Sequence, residues 1–174
     1  MNIRNKTIAA TVAAMLAAAS LGAAAAGTQA YPTKLAAFEQ APVSAAQAVR
    51  AATAQVPGRA TEVDFEHKNG QSYYTVEVKA GGQEHDIRVD AVSGQVIGSK
   101  VDYDDDQHKA KPAISLERAM EIALAKTGGK VKDAGLDHKR GRAVYEVETV
   151  VGGQKYEVKV DGSSGQVLSS RIEY

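Results

Sequence analysis

Residues 90–103, DAVSGQVIGSKVDY, return as DGSSGQVLSSRIEY at residues 161–174. An offset of 71 aligns Val43–Tyr103 with Ile114–Tyr174 over 61 positions without a gap, and about a third of them are identical, the mark of an internal duplication. The shared landmarks are Ser44/Ser115, Gly58/Gly129, His67/His138, Gly70/Gly141, Tyr74/Tyr145, GGQ at 81–83 and 152–154, Asp90/Asp161, SGQV at 93–96 and 164–167, and Tyr103/Tyr174. Whatever one copy folds into, the other must fold into as well. A unit of this size buries a small share of its surface, so the two are expected to pack together around a pseudo-twofold axis.

Each copy reads as one helix followed by an antiparallel meander, hence an α+β fold of two tandem repeats, each a helix on a small sheet of three to four strands. Ser44 with Gln47 has the spacing of a capping box, and Pro57-Gly58 ends that helix. In the second copy Ser115 opens LERAMEIALAK, whose Leu116, Ala119, Met120, Ala123 and Leu124 form one apolar stripe closed by Gly128-Gly129. Period-two segments follow: Val63 and Phe65 (Ala134 and Leu136), then Tyr74, Val76 and Val78 (Tyr145, Val147 and Thr149), then His85, Ile87 and Val89 (Tyr156, Val158 and Val160). A fourth carries Ile97, Val101 and Tyr103, or Leu168, Ile172 and Tyr174. Asn69-Gly70 suits a tight primed turn and Arg140-Gly141 suits it less well, so that loop is expected to differ between copies. Residues 104–113, DDDQHKAKPA, read as a polar linker, and residues 27–42 as a flexible leader.

The first 30 residues hold Arg4 and Lys6, no acid, and an Ala-rich apolar run from Thr7 to Ala26, the n-region and h-region of an export signal. Ala24 and Ala26 offer cleavage before Gly27, giving a signal peptide over 1–26; Thr28 and Ala30 offer a weaker site before Tyr31. An uncleaved anchor is the competing reading, but a run of Ala with Thr, Ser and Gly partitions weakly into lipid. The expectation is a periplasmic or secreted protein, free of the membrane after cleavage. Without those residues the chain keeps 19 basic and 21 acidic side chains, a balance that argues against a nucleic-acid partner. With no cysteine the exported chain depends on packing alone and has no thiolate chemistry.

Three sets of residues invite a chemical reading. Asp102, Asp104, Asp105 and Asp106 with His108 begin like a calcium loop, but the sixth position is Gln107 where Gly is required and the twelfth is Ala113 where Glu is required; a solvated linker explains them better. His67 and His138 occupy equivalent positions, and in a symmetric pair they could share a transition metal with Asp64 or Asp137, although no third ligand lies at close spacing. Strand-end residues kept since the duplication are the simpler account. Asp90/Asp161 with Gly94/Gly165 read as turn formers that should be exposed, and Tyr74, Tyr145, Tyr103 and Tyr174 as core or interface aromatics with hydroxyls at the rim. No metal site is therefore assigned, and with no G-x-S-x-G, H-E-x-x-H, phosphate loop or dinucleotide fingerprint the chain is read as no enzyme, with no cofactor.

The Ser-capped helix, the hairpin with Tyr74-Thr75-Val76-Glu77 or Tyr145-Glu146-Val147-Glu148, and the closing Asp90–Val96 or Asp161–Val167 together resemble the PepSY domain family. The resemblance covers both copies. Members occur in propeptides of thermolysin-like metalloproteases, in spore-germination accessory proteins and as free-standing exported proteins. It implies a helix-on-sheet fold and a binding or regulatory role, with an extracytoplasmic protease as the partner, restrained in trans because no protease domain follows the repeats. A periplasmic carrier of a metal or small ligand, using the acidic linker and the histidines, is the alternative.

Overall fold

The computed structural model describes residues 33–103 and 110–173, which fall within one compact unit. The chain order is α1 (Lys34–Gln40), α2 (Ala45–Gln55), β1 (Arg59–Lys68), β2 (Gln71–Ala80), β3 (Gln83–Asp90), β4 (Val96–Tyr103), α3 (Leu116–Thr127), β5 (Lys130–Lys139), β6 (Arg142–Val151), β7 (Gln154–Asp161) and β8 (Val167–Glu173). The two meanders do not form separate small sheets. They join through their first strands into one eight-stranded antiparallel sheet, ordered β4-β3-β2-β1-β5-β6-β7-β8. The reason is elementary: the free edge of β1 or β5 carries unpaired backbone N–H and C=O groups, and pairing satisfies both edges at once.

The seam fixes the symmetry. Glu62 pairs with Gly135, Val63 with Ala134 and Asp64 with Asp133. Val63 and Ala134 are equivalent positions in the two copies, so the pseudo-twofold axis passes between them, and the expected symmetric packing takes this form.

Helices α2 and α3 lie on one face of the sheet. Ser44 caps α2 by accepting from Gln47 N, while Gln47 Oε1 accepts from Ser44 N at 2.8 Å; Ser115 caps α3 by accepting from Arg118 N. Ala45, Ala48, Val49 and Ala52 of α2, and Leu116, Ala119, Met120 and Ala123 of α3, meet Val63, Val76, Val78, Ile87, Ala134, Val147 and Val158 in one core. Tyr74 and Tyr145 stand inside it. Their hydroxyls do not reach a rim but donate to the carbonyls of Val43 and Ile114, 3.0 Å away in each case, tying each helix start to the second strand of its own copy. Burial raises both phenols, Tyr145 to about 12.

The sheet outruns its helices. A helix about 10–12 Å across covers two to three strands spaced ~4.8 Å apart, so β4 and β8 lie beyond the cover. Ile97, Val101, Leu168 and Ile172 are consequently exposed, and Tyr103, expected as a core or interface aromatic, is 85% exposed; Tyr174 lies outside the described residues. The leader expectation also changes, because residues 34–40 form α1, whose Phe38 is buried against Phe65. Arg140 takes a positive φ of 54°, matching Asn69 at 53°, so the two hairpin loops share one conformation after all.

Candidate functional site

Among the described residues the opposite face of the sheet carries no helix, and strand alternation puts nearly all the charged strand residues there. Cross-strand pairing makes each copy's set a ladder: Glu62, Glu77, Asp86 and Lys100 run from the seam to one edge, and Asp133, Glu148, Glu157 and Arg171 run from the seam to the other. The eight residues are equivalent pairs across the duplication. At the centre Gly135 contributes no side chain, and a Cβ there would be 3.6 Å from Glu62 Cγ. The result is a shallow trough of about 410 Å³, lined by carboxylates of both copies that include Glu62, Asp64, Asp133, Glu146 and Glu148.

A bulge in the first strand of each copy sharpens the ladder. Thr61 is the extra residue between Ala60 and Glu62, and Lys132 the extra residue between Val131 and Asp133, so two neighbouring side chains oppose one glutamate. Thr61 Oγ1 donates to Glu77, and Lys132 Nζ reaches Glu148 at 3.1 Å and also bonds Asp133. Burial opposes the Lys132 charge, but its bonds to Asp133 and Glu148 outweigh that and raise its pKa.

The two ladders are neutralised unequally. In the second copy Lys155 joins Lys132 on Glu148, Lys159 pairs with Glu146 and Glu157, and Arg171 pairs with Glu157 at 2.9 Å. Despite partial burial, Glu148 is held below its ordinary pKa by Lys155 and Lys132. In the first copy the positions of Lys132 and Lys155 are Thr61 and Glu84. Lys79 stands 3.8 Å from Glu77 and 3.6 Å from Glu84. Glu62 is raised to about 8, first by sharing a hydrogen bond with Asp64, then by partial desolvation and by the charges of Asp64, Glu77 and Asp86.

Glu77, Glu84 and Asp86 each bring an oxygen within 4.8 Å of the others, a spacing a cation could bridge; Lys79 already provides a positive charge beside two of them. In the sequence Glu77 stands out only as the end of the motif Tyr74-Thr75-Val76-Glu77, and none of the three is marked as a ligand. The signal was available in the alignment of the two copies, where Thr61/Lys132, Lys79/Val150 and Glu84/Lys155 are among the positions at which charge changes.

The sequence candidates fall elsewhere. His67 and His138 each lie four residues from the axis in opposite directions, roughly 26 Å apart at ~3.3 Å per residue, so the antiparallel seam separates the imidazoles that a shared metal would need together. His67 Nδ1 meets Ser72 Oγ at 2.9 Å, and His138 Nε2–H donates to the Ala110 carbonyl at 2.8 Å. Asp64 lies on the seam and Asp137 near the end of β5. Asp102 is on β4, paired with Lys100 at 2.7 Å; Asp104, Asp106 and His108 lie outside the described residues. Asp90 and Asp161 are the turn formers expected: Asp90 Oδ1 accepts from Val92 N and Ser93 N, and Asp161 Oδ1 from Ser163 N and Ser164 N, lowering both pKa values. Asp161 is nevertheless largely buried, at 9% exposure.

Helices packed on one face of a continuous antiparallel sheet, with a turn and a core pattern repeated in two copies and a charged opposite face, define a duplicated α+β repeat architecture. The chain belongs to the PepSY family, described as "Peptidase propeptide and YPEB domain", which matches residues 42–100 and 113–171. Domains of this family are in general non-catalytic, of the propeptide and inhibitor type. Among curated proteins the chain is similar to the uncharacterized protein YkoJ of Bacillus subtilis (strain 168), with 31% identity over 120 residues, 68% of each chain. Among solved structures it is similar to CD1622 of Clostridium difficile 630 (24% identity, TM-score 0.45, 75% of this chain and 93% of that one). It is also similar to the YpeB C-terminal domain of Bacillus megaterium (15% identity, TM-score 0.33, 76% and 66%).

Proposed function

We propose that the protein is an exported, non-catalytic binding and regulatory module that docks an extracytoplasmic peptidase on the helix-free face of its sheet. The observation that carries this reading is the uncovered, acid-rich face itself: eight strands present an organised charge ladder to solvent, and the trough across the seam joins both copies. Complementary charge across such a surface sets the register of a partner and speeds encounter. Membership of a family described by its peptidase propeptides supports the choice of partner class. Export is supported by the composition of residues 1–26, and among the described residues no helix is long and apolar enough to cross a membrane.

The test measures the activity of the host's secreted peptidases with and without the purified chain, and with a Glu62→Lys/Asp64→Lys variant. Inhibition by the natural chain that weakens at least tenfold in the variant, with circular dichroism unchanged, supports the reading. No inhibition or saturable binding of any of these peptidases overturns it.

A further inference from the structure

Among the described residues β4 and β8 each bond a neighbouring strand on one side only, so the sheet ends in two rows of outward backbone N–H and C=O groups. Such an edge is a template for a further strand. On β4 a bulge at Ile97 interrupts the start, but residues 98–103 run in unbroken register with residues 83–88. Ser99, Val101 and Tyr103 pair with Ile87, His85 and Gln83 and stand on the helix side, where Val101 is 49% exposed. Lys100 and Asp102 pair with Asp86 and Glu84 and stand on the open face.

This order of side chains is self-complementary. Two β4 strands laid antiparallel about Val101 bring that residue against its own equivalent and Ser99 opposite the partner's Tyr103. On the open face Lys100 then lies opposite the partner's Asp102, and Asp102 opposite the partner's Lys100. Opposite charges directly across a ladder are favourable and like charges are not. An axis at Lys100 or at Asp102 would set like charges together, so only the axis at Val101 satisfies them. The molecule already contains a joint of this form, since β1 and β5 pair antiparallel about the equivalent residues Val63 and Ala134.

The other edge is less free to pair. Its equivalent residues are Arg171, Ile172 and Glu173, but Arg171 bonds Glu157 at 2.9 Å and the Glu173 carboxyl shares a hydrogen bond with Glu148. Lys100 and Asp102 pair with each other along β4 at 2.7 Å, with side chains 69% and 58% exposed. Exchanging that pair for two cross-strand pairs leaves no charge unmatched.

We propose that the protein associates with a second molecule of itself through β4, antiparallel about Val101, so that the two sheets and their open faces become continuous. The association goes beyond the peptidase reading and does not depend on it.

The chain has no cysteine, so a single introduced thiol reports the contact. Facing residues of antiparallel strands have Cα atoms about 4.5–5.5 Å apart, a separation that a disulfide spans. Mild oxidation of the full chain should therefore link Val101→Cys into a dimer at least tenfold more than Ile172→Cys, its equivalent on β8. In sedimentation equilibrium the natural chain should show a monomer–dimer equilibrium, weakened at least tenfold in Lys100→Asp and in Asp102→Lys. An equimolar mixture of those two variants should recover it, because an acidic strand then meets a basic one, and so should the double exchange Lys100→Asp/Asp102→Lys. A natural chain that stays monomeric at millimolar concentration, equal linking at 101 and 172, or a mixture no tighter than the separate variants would overturn the assignment. Growth into polymers would overturn it too, by showing that β4 pairs with β8.

Discussion

Glu62 concentrates the unbalanced charge of the first copy, and its effect on stability has a definite sign. A carboxyl whose folded-state pKa lies near 8, against 4.5 when unfolded, binds more protons in the folded chain between those values. Its contribution to stability is therefore complete below about pH 4.5 and is lost as the pH rises toward 8. Asp90 and Asp161 act in the opposite sense: their pKa values are lowered by the turn, so their contribution is present above the ordinary value of 3.8 and is lost as the pH falls below it. Together these groups place the stability optimum in mildly acidic solution. Glu62→Gln keeps the shape and removes the titration. Its melting temperature should match that of the natural chain near pH 4.5 and exceed it increasingly from pH 6 to 8; a constant offset across that range would show that Glu62 does not titrate in the window.

At the scale of elements, α1 shows what a short helix contributes when it lands on the core. Thr33 caps it by accepting from Ala36 N, Phe38 meets Phe65 edge to face at 5.2 Å, and Phe65 meets Tyr74 at 5.3 Å. Lys130 of β5 donates to the carbonyls of Glu39 and Ala41, so α1 spans the seam. Phe38→Ala should cost about 3–5 kcal/mol in urea unfolding, with hydrogen exchange accelerating first over residues 34–41. A loss under 1 kcal/mol would mean that α1 does not contribute to the core. This element was not legible in the sequence because it lies outside the duplicated segment and seven residues carry little periodicity. The duplicated elements were legible for the converse reason: Ser-capped stripes and paired glycines state the same pattern twice. Gly129 illustrates it, since a Cβ there would lie 2.0 Å from the Val150 carbonyl, so the glycine that reads as a helix end also lets the chain pass against β6. The exposed Tyr103 and Ile172 were misread because alternation names a face but not whether a helix reaches far enough to cover it.

For the whole molecule, the open question raised by two like units is why they join head to head within one chain, when the same seam could pair identical copies of one unit. Around the axis the equivalent of Asp64 is Gly135, and this one divergence matters. A seam between two first copies would set Glu62 against Asp64 on both sides of Val63, placing four carboxylates together. The actual seam sets Glu62 against Gly135 and keeps acid against acid only at Asp64 and Asp133, where Asp133 is engaged by Lys132 and accepts from Phe65 N at 3.0 Å. Like charges directly opposite on a sheet are destabilising, so the glycine favours the tandem arrangement. Restoring the symmetric residue tests this, because Gly135 has no positive φ and space for a side chain. Gly135→Ala should stabilise by about 0.5–1 kcal/mol, the usual cost of glycine within a strand. Gly135→Asp should instead lower the melting temperature most above pH 8, where Glu62 opposite it is ionised, and recover most of the loss at pH 4.5, where Glu62 is protonated. Equal destabilisation by Asp at both pH values, or by Ala as well, would assign the glycine to backbone packing and leave charge out of the choice of partner strand.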